Sequence, residues 1–298
     1  MFKIFRPMFI IVETSLHPGS GGDVGVVDLP IQREKHTHFP KIEASTLKGS
    51  IRELFENNNN NIKSEDVFKL FGPEPERKEE EGYAGALGFM DARILLFPVK
   101  SLKDIFVWVT SPMVLERFQK EFKKIAKIDL PCKFKDVKLL QNTASSNNVL
   151  VNGTKLVLEE FTYDVQTSKD TTEIARWFAE KIFGSDSEYQ YWKTKLEQSL
   201  VILPDEEFES FVRNSTEIIA RNIINDKGTS GNLWYEEYIP QDTILYTIVM
   251  ASQSRKENEN KNANQIMKEF VENIRSVQVF QIGGNQTIGK GFVRINII

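Results

Sequence analysis

Short apolar strand-like runs and amphipathic helices interleave along this chain without a regular βαβ rhythm, and none carries the glycine fingerprint of a dinucleotide-binding fold. That pattern predicts an α+β architecture with long insertions rather than a doubly wound parallel sheet. Residues 7–14, 87–99, 104–110, 243–251, 277–282 and 292–297 read as strands. Ser45 or Thr46 is placed to cap a helix running to about Glu56, with Leu47, Ile51, Leu54 and Phe55 on one face. Ser111-Pro112 opens another helix, and further helices are predicted over 171–183, 204–214 and 266–274. Asn152-Gly153 predicts a hairpin turn within 149–163. Two strand-like arms, 218–224 and 233–239, flank the polar tip NDKGTSGN and predict a protruding hairpin.

The 298 residues are 40% apolar and include 21 Phe and 4 Trp, enough to build a real core and to exclude a disordered or fibrous chain. No apolar run approaches the roughly 20 residues needed to cross a bilayer. The start, MFKIFRPMFIIVETS, alternates like a strand and is followed by no small-residue cleavage site, so a cytoplasmic protein without membrane partners is expected. The single cysteine, Cys132, excludes an internal disulfide and a cysteine-based zinc cluster. The asparagine run 57–61 and the acidic segment 72–88 read as exposed insertions.

A net charge of −4 gives no overall attraction for nucleic acid, but the charge is unevenly spread. Residues 31–52 hold five basic side chains (Arg33, Lys35, Lys41, Lys48, Arg52) against Glu34 and Glu43, and the last 18 residues hold Lys290 and Arg294 with no acid. A local basic groove is what phosphate binding requires.

Three segments carry candidate chemistry. Residues 16–40 form a long glycine-containing stretch of little periodicity, in which Asp28 follows Val26-Val27 and His17 stands near the start. A carboxylate on such a loop can bind a hard cation or steer a nucleophile, although a lone loop Asp is more often a turn or cap residue. Lys48 and Arg52 lie one helical turn apart and suit phosphate; a solvated helix face is the alternative. The second segment, QIGGNQTIGKGF over 281–292, offers four glycines and Lys290 to a polyanion but lacks the Walker order. The third is the hairpin, where Trp234 and Tyr235 are core anchors or a stacking surface, and Glu236 and Glu237 are solvent-facing or site carboxylates.

Taken together, GVVDLPIQREKHTHFP, STLKGSIRE, FMDARILLFPV, GNLWYEEYIP and IGGNQTIGKGF appear in an order, spanning nearly the whole chain, that resembles the RAMP superfamily. Within it, the resemblance is to backbone subunits of type III-B (Cmr) CRISPR effector complexes. It implies a single domain over 1–298, with a ferredoxin-like (RRM-like) palm, insertions at about 57–86, 164–216 and 252–265, and a β-hairpin thumb at about 220–240. It implies copies of the chain stacked as a helical filament along a CRISPR guide RNA, in company with other Cmr subunits. Each thumb would kink the guide–target duplex, and each copy would cleave the complementary target RNA at regular intervals. The family's cleavage residue falls on Asp28, with a divalent metal ion (Mg or Mn) expected there. His17, Asp91 and Glu236 or Glu237 fall in matching blocks as supporting candidates. Guide contacts fall on Ser45, Thr46, Lys48, Arg52, Gly283, Gly284, Thr287, Gly289, Lys290 and Gly291. The alternatives are a filament subunit that coats guide RNA without cutting, and a free metal-dependent nuclease, which the acidic net charge and the absence of a dense carboxylate cluster disfavour.

Overall fold

The computed structural model describes residues 1–22, 25–57, 63–73, 82–131, 134, 136–226, 228–256, 259–277 and 279–298. Cys132, Asn58 to Asn61, the acidic run 74–81 and Lys227 lie outside the described residues. The framework is a large mixed sheet with helices on both faces. Its path runs from Val279–Gln281 through Phe292–Ile297, Ile4–Val12, Ile244–Ala251 and Ala92–Ser101 to Ile105–Thr110, Leu200–Ile202, Thr143–Ala144 and Gln166–Thr167. The centre is antiparallel: Ile4–Val12 pairs with Phe292–Ile297 on one side and with Ile244–Ala251 on the other.

Alternation along the first strand divides the core in two, because successive side chains of a strand point to opposite faces. Met8, Ile10 and Val12 pack with Leu47, Ile51 and Phe55 of the helix Ala44–Asn57 and with Ile266, Met267, Phe270 and Ile274 of Ala263–Arg275. Phe9 and Ile11 join a second cluster with Val114, Leu115 and Phe118 of Pro112–Glu121, Ile174 and Phe178 of Lys169–Phe183, and Phe208 of Asp205–Asn214. Trp108 is buried in this cluster and satisfies its indole N–H on the Asp242 carbonyl oxygen at 2.7 Å.

Local signals account for several boundaries. Ser111 Oγ accepts from the Val114 amide at 3.5 Å at the start of Pro112–Glu121. Asn262 and Gln265 form a reciprocal capping box before Ala263–Arg275, so this helix starts three residues earlier than the expected 266. Other expectations are corrected. Ser45 and Thr46 do not cap the helix Ala44–Asn57; they lie inside it, and the carboxylate of Asp91 takes the Ala44 amide at 2.9 Å instead. The stretch 87–99 is two strands, Leu87–Phe89 and Ala92–Ser101, parted at Met90-Asp91. Asn152-Gly153 turns the chain just before Lys155–Leu158, and the hairpin with Phe161–Asp164 reverses at Glu159 instead, whose φ is 51°. The helices Ser64–Phe71 and Gln190–Ser199 were not anticipated; the second buries only Leu196 and Ser199, so its apolar stripe is faint.

Outside the main sheet stands a two-stranded hairpin, Glu217–Ile224 with Ser230–Tyr238. No helix among the described residues is long and apolar enough to cross a membrane.

Candidate functional site

The segment 16–40 does not stand free. It lies along the outer edge of the hairpin strand Ser230–Tyr238, with a parallel bridge between Leu29 and Glu236 and an antiparallel one between Leu16 and Ile239. The Leu29 amide donates to the Tyr235 carbonyl at 3.1 Å, and the Glu237 amide donates to the Leu29 carbonyl at 3.0 Å. Asp28 sits at this junction. Its side chain is exposed, and Oδ2 accepts from the Tyr235 backbone N–H at 2.7 Å. The carboxylate is therefore aimed by the hairpin yet open to solvent.

His17 is buried, its Nδ1–H donating to the Glu237 carbonyl oxygen at 2.6 Å and its ring centre 5.5 Å from that of Tyr238. The glycine-rich loop closes over it. The Gly284 amide donates to the His17 carbonyl at 3.0 Å, and a Cβ at Gly283 would stand 2.3 Å from that oxygen, so no larger residue fits there. A Cβ at Gly19 would meet His17 Nε2 at 2.9 Å. His17 thus joins the loop carrying Asp28 to the loop 283–291.

The two glutamates separate cleanly. Glu237 is buried and ties segments together: Oε2 accepts from the Ile31 amide at 3.1 Å, and Oε1 from Arg33 Nη2 at 2.5 Å and Thr216 Oγ1 at 2.7 Å. Glu236 is the centre of a polar cluster at the hairpin root. It accepts from Trp234 Nε1 at 2.8 Å, Arg221 Nε at 3.3 Å, Asn285 Nδ2 at 2.9 Å and the Tyr238 hydroxyl. Burial opposes its ionisation, but the Tyr238, Trp234 and Arg221 donors outweigh that and hold the carboxyl below its ordinary range. Lys290 Nζ lies 4.9 Å over the Tyr238 ring. Sequence reading missed Arg221, Tyr238 and Asn285; the acid-aromatic pattern WYEEY was the available signal.

Asp91 is half-buried and holds the start of the helix Ala44–Asn57, accepting from the Ala44 amide and from Lys41 Nζ, each at 2.9 Å. It is not drawn into the Glu236 cluster. Thr46 Oγ1 receives Gln32 Nε2 at 3.0 Å, which links that helix to the Asp28 segment. Lys48 donates to the Leu87 carbonyl at 3.3 Å, and Arg52 pairs with Glu56 at 2.6 Å. Thr287 and Gly289 are exposed at the tip of the glycine-rich loop, while the Gly291 amide anchors its base to the Ser15 carbonyl at 3.0 Å.

Glu34 pins the same segment to the second core. It is buried, accepting from Arg117 Nη1 at 2.8 and 2.9 Å and from Thr37 at 2.7 Å, with Arg93 3.7 Å away. Burial raises its pKa, but Thr37, Arg117 and Arg93 more than compensate, so the folded carboxyl titrates below the ordinary 4.5. A depressed carboxyl contributes stability above its unfolded pKa and loses it as pH falls through the folded value. Thermal melting of the parent is therefore expected to weaken as pH drops below about 4.5. Glu34→Gln is expected to flatten that acid limb while lowering stability at pH 7; an unchanged acid limb would remove Glu34 from this role.

Among the described residues, no group of three or more His, Cys, Asp or Glu side chains is arranged to hold a metal ion. Glu236 and Glu237 are occupied by the donors above, and Asp28 is the exposed carboxylate of the hairpin edge.

The RAMP superfamily profile matches residues 9–294, almost the entire chain. The chain belongs to the RAMP superfamily. Within it, this RAMP protein is 38% identical over 291 residues to the CRISPR system Cmr endoribonuclease Cmr4 of Pyrococcus furiosus, covering 95% of the chain and 92% of that protein. It is 25% identical to the CMR subunit Cmr4 of Saccharolobus solfataricus over 99% of its length and 96% of the relative's. The crystal structure of oligomeric Cmr4 from Pyrococcus furiosus superposes with a TM-score of 0.71 at 30% identity, covering 99% and 98% of the two chains. A chain of a type III-B Cmr-beta complex bound to cognate target RNA shares the fold, with a TM-score of 0.77 at 22% identity over 99% of this chain and 98% of its own.

Proposed function

We propose that this RAMP protein is a backbone subunit of a type III-B effector complex, coating CRISPR guide RNA as a filament of copies and cutting complementary target RNA at regular intervals. The observation that carries the cutting role is Asp28: an exposed carboxylate, oriented by a backbone N–H of the hairpin strand, where the segment 16–40 meets that strand. Similarity to a curated endoribonuclease supports the reaction class.

Cleavage that uses the neighbouring 2′-hydroxyl as nucleophile asks little of a protein: in-line alignment at the scissile phosphate, and a group to take the hydroxyl proton as the P–O2′ bond forms. The P–O5′ bond breaks to leave a 2′,3′-cyclic phosphate, and the 5′-oxygen takes a proton from water. The hairpin would supply the alignment by deforming the duplex, and Asp28 the proton acceptor. Asp91, Glu236 and Glu237 then act as positioning residues, since both carboxylate oxygens of each are occupied by the protein's own donors, and His17 positions its loop through Nδ1. A divalent ion would find one protein ligand in Asp28, its other oxygens coming from phosphate and water, a common environment for Mg²⁺.

The strand order supports a ferredoxin-like palm. Of the strands Ile4–Val12, Ala92–Ser101, Ile244–Ala251 and Phe292–Ile297, the spatial order is fourth, first, third, second, with the helices Ala44–Asn57 and Ala263–Arg275 after the first and third. In this reading the whole chain is one domain, elaborated at about 57–86, 164–216 and 252–265, working in the cytoplasm.

Purifying the chain from its native host and identifying the RNA and proteins that accompany it tests the proposal. Filaments carrying short guide RNA and further Cmr subunits are expected, with end-labelled target cut into an evenly spaced ladder. Bound guide without a ladder would leave only the coating role, and a monomer degrading unrelated RNA would overturn the reading.

Guide contact is assigned chiefly to Lys48, Arg52 and the loop 283–291. Lys48→Ala with Arg52→Ala is expected to weaken RNA binding and to lower the slope of log K against log salt by about 0.7 for each phosphate no longer neutralised. A slope equal to the parent's would return both side chains to the solvated surface.

A further inference from the structure

Beside the helix start at Ala44, a cleft of about 360 Å³ opens between Phe2, Lys48, Leu87, Gly88, Phe89 and Arg255. This volume falls within the roughly 300–1,000 Å³ typical of small-molecule sites. Its two halves differ in chemistry. One is apolar and aromatic: Phe89 stacks on Phe71 and meets Phe270 edge-on in the core, whereas Phe2 has no aromatic neighbour among the described residues and stays only half-buried. The Phe2 ring stands with its tip on Gly88, where an added Cβ would lie 2.5 Å from the ring, so the wall exists because residue 88 has no side chain. The other half is cationic. Lys48 donates to the Leu87 carbonyl and, like Arg255, has no ion pair among the described residues; Arg255 is exposed, and Arg52 lies one turn further along the helix.

We infer that this cleft is a single-nucleotide subsite, with the phosphate between Lys48 and Arg255 and the base against the face of Phe2. The inference rests on the RNA-binding reading above and extends it by two residues, Phe2 and Arg255, and by a stacking contact. An aromatic face without a ring partner, next to cations without an ion pair among the described residues, matches the two parts of a nucleotide and is the pairing used for sequence-tolerant single-strand binding. Charge supports the same placement. Burial, together with the positive fields of Arg52 and Arg255, makes the Lys48 ammonium harder to keep charged, a condition that a bound phosphate relieves.

The test uses the full chain and a short single-stranded RNA carrying 2-aminopurine, titrated at several salt concentrations. Phe2→Ala should weaken binding about tenfold with an unchanged salt slope, in the range of one base–aromatic stack. It should also abolish part of the 2-aminopurine quenching. Phe2→Trp should restore both. Gly88→Ala should act like Phe2→Ala, because the added methyl displaces the ring without touching any charge. Arg255→Ala should instead lower the salt slope by about 0.7 and leave the quenching in place. Parent-like affinity and quenching in both Phe2→Ala and Gly88→Ala would overturn the subsite while leaving the RNA-binding reading intact. Failure of the parent chain itself to bind RNA would overturn that reading and the subsite with it.

Discussion

Asp28→Asn is expected to leave assembly and guide binding at the parent level while target cleavage falls by about two orders of magnitude or more, the range of a missing general base. The substitution is informative because of what it keeps. The amide oxygen of an asparagine can accept the Tyr235 N–H that Asp28 Oδ2 now accepts at 2.7 Å, so the segment should stay seated on the hairpin strand. Only the negative charge and the capacity to take a proton are removed. The measurement is the single-turnover rate on end-labelled target RNA by complexes assembled with each variant, checked for equal stoichiometry. Cleavage at the parent rate would make Asp28 a structural cap of the hairpin edge, the ordinary role of a loop aspartate, and leave the cutting role without its residue.

The second large effect concerns the hairpin. The sequence drew attention to its polar tip, but the structure exposes apolar side chains just below it: Ile223 at 56%, Ile224 at 67% and Leu233 at 56%. A wedge that separates stacked bases gains from apolar surface, which offsets the few kcal/mol that unstacking costs. Replacing Ile224 and Leu233 together by serine should therefore abolish the evenly spaced ladder of target cuts. Guide affinity should stay within a few-fold of the parent, because it is assigned to the helix Ala44–Asn57 and the loop 283–291. The melting temperature should barely move, since neither side chain belongs to either core cluster. A ladder of parent spacing and intensity would sink the assignment of this hairpin as the element that sets the cutting positions.

How far the sequence led depended on the range of the forces involved. Alternation and amphipathic spacing found most strands and helices, because these patterns are local. The hairpin arms were predicted to within about three residues at each end, the largest gap falling where the second arm starts at Ser230. The helix Gln190–Ser199 escaped notice because so little of it is buried, and the cap at Ala44 was misassigned because its acceptor, Asp91, stands 47 residues away. The site shows the same division. Asp28 could be singled out from its block, but the separate duties of Glu236 and Glu237 could not. Adjacent residues on a strand face opposite ways, and only the folded partners, Arg33 and Ile31 for one and Trp234, Tyr238 and Asn285 for the other, tell them apart.

The seating of residues 28–31 along Ser230–Tyr238 bears on the proposed stacking of copies side by side. A two-stranded ribbon exposes an unpaired edge on each strand, and such an edge is a template on which another chain can add a strand. Here the Leu29 backbone, the Asp28 carboxylate and the Glu237 carboxylate engage the backbone groups along the outer edge of that strand and the segment beside it. From Tyr235 to Ile239 that edge is engaged within the chain and is not open to strand addition. In the proposed filament, that stretch of strand is then not a place where a neighbouring copy adds a strand, and contacts between copies there fall to side chains and nucleic acid.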